Sequence, residues 1–241
     1  MNTSKHQIVV LSDLKDSTAT LLKTAISLAK KTNASIHFFH VKKPTEIINT
    51  DNQLSAKRAI NSKFTQTNKA ISELVSEFSK KYKINITSSF TFGNVKNEID
   101  TFLENTNPNI IVIGKRRNKG IAALGDKISK HVLKKKGKTI IIATSENDLN
   151  PENEISLGVY NELEQQHKND FINEIIENAS KPLKKFNIID STEKSSNNQV
   201  TNVISNDVDL LVVDRETIKP KSTKSFNKLL SNIDVSLVVA N

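Results

Sequence analysis

Residues 109 to 144, NIIVIGKRRNKGIAALGDKISKHVLKKKGKTIIIAT, constrain the fold most, because a short apolar run enters a loop of glycine and cations, then a helix, then a second apolar run. Ile110 to Ile113 is a β-branched run with no polar alternation, the pattern of a strand buried on both faces of a parallel sheet. Ile140 to Ala143 repeats it. Between them Leu124, Ile128, Val132 and Leu133 recur at helical spacing, and Gly137 stands where a helix end favours a residue that tolerates positive φ. Two parallel strands joined by a crossover helix follow from this. In such sheets ligands sit in the loops at the carboxyl ends of strands, and here that loop is Gly114 to Gly120, with Lys115, Arg116, Arg117 and Lys119 inside it.

The same alternation runs through the residues before it. Ile8 to Leu11 reads as a first strand, followed by Ser12-Asp13-Leu14-Lys15-Asp16-Ser17, which supplies Asp and Ser as caps for a helix with Leu21, Leu22, Ala25, Ile26, Leu28 and Ala29 on its buried face. Asn33 ends that helix, and Ile36 to Val41 is the second strand. Residues 42 to 54 are polar and contain Pro44, so they read as a loop. From Ser55, a long amphipathic helix carries Ile60, Phe64, Ile71, Leu74, Val75, Phe78 and Tyr82. Ile84 to Thr91 is a third strand, and a helix with Val95, Ile99, Phe102 and Leu103 ends at Asn107-Pro108. Five strands alternating with four helices make an open, doubly wound α/β domain that ends near Thr144.

Residues 145 to 153 are polar, contain Pro151 and read as a linker. Beyond it, Phe171, Ile172, Ile175, Ile176 and Ala179 repeat the spacing of Leu21 to Ala29, and the offset carries Ile36, Phe38 and Phe39 onto Phe186, Ile188 and Ile189. Asp209 to Val213 mirrors Asn109 to Ile113, Val235 to Ala240 mirrors Thr139 to Ala143, and Phe226, Leu229 and Leu230 supply a helix between them. The stretch STEKSSNNQ from Ser191 to Gln199 has no counterpart of the long helix or of the third strand. The expected organisation is a first domain over 1–144, a linker over 145–153, and a shortened, four-stranded second copy over 154–241. The two should pack through their closing strands, 139 to 143 and 235 to 240.

Charge divides along the same boundary. Residues 1–150 hold 25 Lys and Arg against 12 Asp and Glu, whereas 151–241 hold 10 against 14. A basic half raises the question of an anionic partner, although charge runs mostly lie on solvated faces. Nucleic acid ranks last among the readings, since no aromatic platform or helix-turn-helix pattern accompanies the charge. The chain has no cysteine, which excludes disulfides, thiolate zinc sites and cysteine nucleophiles. No apolar run approaches the ~20 residues of a membrane span and no signal peptide is evident, so a soluble, cytoplasmic protein is expected. His37 and His40 lie on opposite faces of one strand and cannot share an ion. No catalytic triad, carboxylate pair or metal cluster stands out, so neither a metal nor catalysis beyond slow hydrolysis of a bound nucleotide is expected.

Taken together, a first strand ending in Ser12-Asp13, a second ending in His40-Val41, Gly93-Asn94 before the third helix, and Ile113-Gly114 opening a loop to Gly125 resemble the universal stress protein family. The chain is similar to a tandem member whose second copy is shortened and degenerate. The resemblance implies an open parallel sheet of the adenine nucleotide alpha hydrolase-like kind, packed as an intramolecular pseudo-dimer that could associate further with copies of itself, and a stress-response role with an unknown protein partner. It also implies ATP or another adenine nucleotide as ligand, with Leu11, Ser12, Asp13 and Val41 at one end of the site and Gly114, Lys115, Arg116, Gly125, Asp126 and Lys127 at the other. Nucleotide-binding members of that family carry a second glycine where this chain has Arg117, and a hydroxyl residue where it has Asp126. Backbone contacts to phosphate are weakened by both changes, while the cations of the loop could replace them. In the second copy Asp214 stands where Gly114 stands in the first and about Asn161 stands at the Asp13 position, so no phosphate cradle is expected there. Two functional readings stay open: a nucleotide site in the first half, and a nucleotide-free scaffold or protein-interaction module.

Overall fold

Ile8, Val9, Val10, Ile110, Ile111 and Val112 have no exposed surface at all, the burial that a central parallel strand acquires when helices cover both faces of its sheet. The computed structural model describes residues 4–44, 53–115, 127–144, 148–160, 169–186, 208–214 and 234–240. Its elements are β1 (Gln7–Ser12), α1 (Thr18–Thr32), β2 (Ser35–Lys42), α2 (Gln53–Tyr82), β3 (Ile86–Phe92), α3 (Val95–Thr106), β4 (Ile110–Gly114), α4 (Lys127–Val132) and β5 (Thr139–Ala143). There follow β6 (Ser156–Tyr160), α5 (Asp170–Glu177), β7 (Ser180–Phe186), β8 (Leu210–Asp214) and β9 (Ser236–Ala240). The expected helix around Phe226 to Leu230, the loop from Arg116 to Asp126 and the stretch 191–199 lie outside the described residues.

The strands form one sheet in the order β3-β2-β1-β4-β5-β9-β8-β6-β7. All neighbours run parallel except β5 and β9, which pair antiparallel through Ile140↔Val239, Ile141↔Val238 and Ile142↔Leu237. Helix ends follow local chemistry. Asn33 closes α1 at φ 48° and Asn107 closes α3 at φ 45°, since Asn enters the left-handed region at lower cost than most residues. Asn94 caps α3 by accepting from the Lys96 and Asn97 N–H groups. Gly137, at φ +69°, makes the turn into β5.

Each face of the sheet has its own core. On one, Leu22, Ile26 and Leu28 of α1 pack with Ile71 and Val75 of α2 and with Phe171 and Ile172 of α5 over Ile8, Phe38 and Val112. On the other, Ile99 and Leu103 of α3 and Val132 of α4 pack over Val9, Phe39, Ile111 and Leu237. Asp100 pins α3 to this second layer by accepting from His131 Nε2 at 2.7 Å and from Lys135 Nζ at 2.6 Å.

The buried side of α1 is wider than the sequence suggests. Eleven of its 15 residues are buried, including Thr20, Thr24 and Ser27, because α5 and residues 148–152 lie on the side that an isolated domain would expose to water. Leu149 is buried in the same core, the Asn150 carbonyl faces Ser27 Oγ at 3.5 Å, and Asp148 and Glu152 pair with Lys23 and Lys30. β7 begins before the strand that the repeat pattern expects over Phe186, Ile188 and Ile189: it is SKPLKKF, pairing Gly158↔Lys184 and Tyr160↔Phe186; Phe186 belongs to it, and Ile188 and Ile189 lie outside the described residues.

Candidate functional site

Chain order and strand order part company at one place. From β1 the chain moves outward through β2 and β3, then returns to add β4 and β5 on the other side, so the carboxyl ends of β1 and β4 lie side by side where the strand order reverses, the place where such sheets form their ligand crevice. The register Val10↔Val112, continued two residues, brings Ser12 beside Gly114. Gly114 also abuts the start of α1: a Cβ there would stand 3.4 Å from Ser17 Oγ and 3.6 Å from Leu21.

The loop after β1 is held by its own side chains. Thr18 Oγ1 donates to the Lys15 carbonyl at 2.6 Å, so its lone pair is left to accept from Ser12 Oγ at 2.9 Å. Ser12 Oγ in turn accepts from the Leu14 N–H at 3.1 Å. These bonds stabilise Leu14 at φ 58°, a conformation that costs a non-glycine residue about 1–2 kcal/mol. Asp13 Oδ1 accepts from the Lys15 N–H at 3.2 Å, so its carboxylate shapes the turn and does not cap α1. The cap position is taken by Ser17, which makes no side-chain cap bond. The Asp13 side chain is 35% exposed and its Oδ2 lies 3.9 Å from Lys15 Nζ.

His40 supports this loop from the neighbouring strand: it is 5% exposed, and its Nδ1–H donates to the Ser12 carbonyl at 2.8 Å. His37 is turned to the other face of the sheet, as its odd separation from His40 requires. There Thr87 Oγ1 donates to the Ile36 carbonyl and accepts from His37 Nδ1, which leaves Nε2 to accept from Ser89 Oγ at 2.7 Å. Burial holds the His37 imidazole below its ordinary value of 6.5. Stability from this group is therefore complete above 6.5 and falls as pH drops through the lowered folded value, because the unfolded chain takes up the proton first. His37→Gln is expected to flatten the pH dependence of the melting temperature over that interval. An unchanged slope would assign the acid sensitivity to other groups.

The residues singled out from sequence are distributed as follows. Leu11 and Ser12 are buried at the end of β1, and Val41 is half-buried one residue beyond His40, which pairs with Ser12. Gly114 ends β4 and Lys115 follows it, its N–H donating to the Ala143 carbonyl at 2.8 Å. Lys127 is exposed at the start of α4. Arg116, Gly125 and Asp126 lie outside the described residues. One residue was invisible to sequence reasoning: Asp234 places Oδ1 3.7 Å from Lys115 Nζ. It reaches the crevice because β9 runs antiparallel to β5, which brings the residues before β9 to the carboxyl end of the first-half strands. Only the strand pairing could have revealed it. Among the described residues no group of His, Cys, Asp and Glu is arranged to hold a metal ion, and no helix is long and apolar enough to cross a membrane.

Comparison with known proteins agrees with this geometry. Residues 5–142, more than half of the chain, match the sequence model of the Universal stress protein family. Among solved structures, a universal stress protein from Archaeoglobus fulgidus DSM 4304 superposes over 98% of this chain and 96% of its own, with a TM-score of 0.67 at 11% identity; the likeness is one of fold. A universal stress protein from Lactobacillus plantarum covers 59% of this chain and 99% of its own at 14% identity, with a TM-score of 0.49. Another from Archaeoglobus fulgidus, in complex with dAMP, covers 58% and 99% at 17% identity, with a TM-score of 0.41. No curated protein matches the sequence.

Proposed function

The chain belongs to the universal stress protein family, and on that premise we propose that it is a non-catalytic stress-response protein whose first half binds ATP or another adenine nucleotide. The observation that carries this reading is the strand-order reversal that sets the carboxyl ends of β1 and β4 side by side, where a partly exposed Asp13 stands on a turn braced by Ser12, Thr18 and His40. Asp13 and Val41 would face the base, while Gly114, Lys115 and the cations that follow would face the phosphates. Residues 154–241 act as a shortened, degenerate copy that packs on the first as an internal pseudo-dimer, a reading supported by the β5–β9 pairing and the four strands β6 to β9. Neither a metal nor a membrane enters this function, and its place is the cytoplasm.

Because Arg117 and Asp126 stand where backbone contacts to phosphate would be made, affinity depends on cations and should decline with salt. Calorimetry with ATP, ADP and AMP tests this. Lys115→Ala or Asp13→Ala is expected to remove one charge-assisted contact, about 1.5–3 kcal/mol or about ten- to a hundredfold in affinity. Asp234→Asn should strengthen binding by removing a carboxylate that stands 3.7 Å from Lys115. A second reading rests on that same ion pair: Asp234 at 3.7 Å offsets the charge of Lys115, and the protein serves as a nucleotide-free scaffold. No heat with any of the three nucleotides, on wild type or on Asp234→Asn, would leave that reading alone.

A further inference from the structure

One hydrogen-bonded cluster lies on β2 and β3, apart from the carboxyl ends of β1 and β4. The register His37↔Thr87 and Phe39↔Ser89 sets the His37 imidazole between two hydroxyls of β3 that share its face of the sheet. Ser89 Oγ donates to His37 Nε2 at 2.7 Å, and His37 Nδ1–H donates to Thr87 Oγ1 at 2.9 Å. Thr87 gives its own proton to the Ile36 carbonyl, so it can only accept from the ring, and that fixes the tautomer. Phe102 of α3 stacks on the imidazole at 5.2 Å and on Phe39 at 4.0 Å, centroid to centroid. A hydroxyl within reach of a base whose far nitrogen is oriented by a third group is the arrangement of an activated nucleophile. Burial holds the imidazole below its ordinary value of 6.5, so at neutral pH it is the free base. Ser89 itself is only half-buried. The Gly93 N–H donates to the Lys42 carbonyl at 3.0 Å, and backbone groups alternate along a strand, so the Ser89 and Thr91 N–H groups also face β2 while those of Ser88 and Phe90 face away from it. Among the described residues, no strand pairs with that outer side.

We propose that Ser89 is a nucleophile, with His37 as its general base, that accepts the acyl group of an uncharged activated ester. Ser89 Oγ bonds to the carbonyl carbon as its proton passes to His37 Nε2. The carbonyl oxygen, negative at that moment, is within reach of the outward Phe90 N–H, the donor next to the nucleophile in the chain. The ester C–O bond then breaks, and the leaving alkoxide or phenoxide takes the proton back from His37. The products are O-acyl Ser89 and one alcohol or phenol. An uncharged reagent suits the surroundings, since Phe102, Thr87 and Thr91 bring no charge to that face. Thr87 orients the ring without the negative charge with which a carboxylate would stabilise the imidazolium. The reaction is therefore a single acylation per chain rather than turnover, and it is independent of the nucleotide site.

The probe is p-nitrophenyl acetate on the full chain, followed by an acid quench and mass spectrometry of the peptide that carries Thr87, Ser88 and Ser89. Ser88 is the internal control: it is exposed, one residue away and, by alternation, on the face opposite to His37. A positioned general base contributes about a hundredfold or more, so acetyl should favour Ser89 over Ser88 by about that ratio, and His37→Gln should bring the two serines near parity. Should His37→Gln fail to fold, judged by circular dichroism, the pH profile of the wild type decides. Acetylation of Ser89 should be level between about pH 7 and 8, where the imidazole is already neutral, whereas a serine without a base speeds up about tenfold per pH unit. Equal acetylation of the two serines, a ratio unchanged in folded His37→Gln, or a Ser89 rate that climbs with hydroxide overturns the proposal.

Discussion

Phe171→Ala is expected to destabilise the whole chain by about 3–5 kcal/mol, the usual cost of removing a buried aromatic ring. Phe171 is 1% exposed and belongs to α5, yet its neighbours belong largely to the first half. It meets the His6 ring edge-on at 5.3 Å, beside a cluster in which Lys5 reaches Asp170 at 2.9 Å and His6 Nε2 lies 3.2 Å from Glu174. It also shares one continuous core with Leu22 and Ile26 of α1. The Lys5–Asp170 pair is exposed and contributes little; the ring accounts for most of the effect. Against a total stability of about 5–15 kcal/mol for a protein of ordinary size, the loss is a large fraction. Because the core is continuous, denaturation followed by circular dichroism should show one transition, moved to lower denaturant with its slope unchanged. Two separated transitions, with only the second affected, would mean that α5 unfolds without disturbing α1.

That coupling explains which parts of the fold were legible in the sequence. Strands buried on both faces, such as Ile8 to Leu11 and Ile110 to Ile113, announce themselves because burial demands an unbroken apolar run. The apolar stripe of α2 at Ile71, Val75 and Phe78 follows helical period for the same reason. Thr20, Thr24 and Ser27 carry no such signal: they are polar residues on what looks like the wet side of α1, and their burial depends on α5 and on residues 148–152, both distant in the chain. The start of β7 at Ser180 was missed because an edge strand needs neither an apolar run nor alternation, only a neighbour to pair with. Asp13 was recognised at its strand end, but its hydrogen bond to Lys15 belongs to a turn, a distinction that composition cannot make. Asp234 lay beyond any local pattern, since an antiparallel pairing alone brings it to Lys115.

Leu237→Ala tests the opposite face of the same junction and is expected to cost about 2–5 kcal/mol, with the value set by how far the seam can close around the lost side chain. β9 lies between β5 and β8, pairing Leu237 with Ile142 on one side and Leu211 on the other. Leu237 is 1% exposed and packs in the core with Val9, Phe39 and Ile111, not in the core that holds Phe171. The sheet separates the two positions, so the milder pair Leu237→Val and Phe171→Leu should be additive within about 0.5 kcal/mol. Leu237→Asp goes further, because an unpaired carboxylate in that core has no compensating hydrogen bond and should leave the chain unfolded at neutral pH. If Leu237→Asp instead folds with β1 to β5 still protected from hydrogen exchange and only β6 to β9 open, the first half stands without the seam. The large cost expected of Phe171→Ala would then have to come from α5 packing on α1 rather than from the continuous sheet.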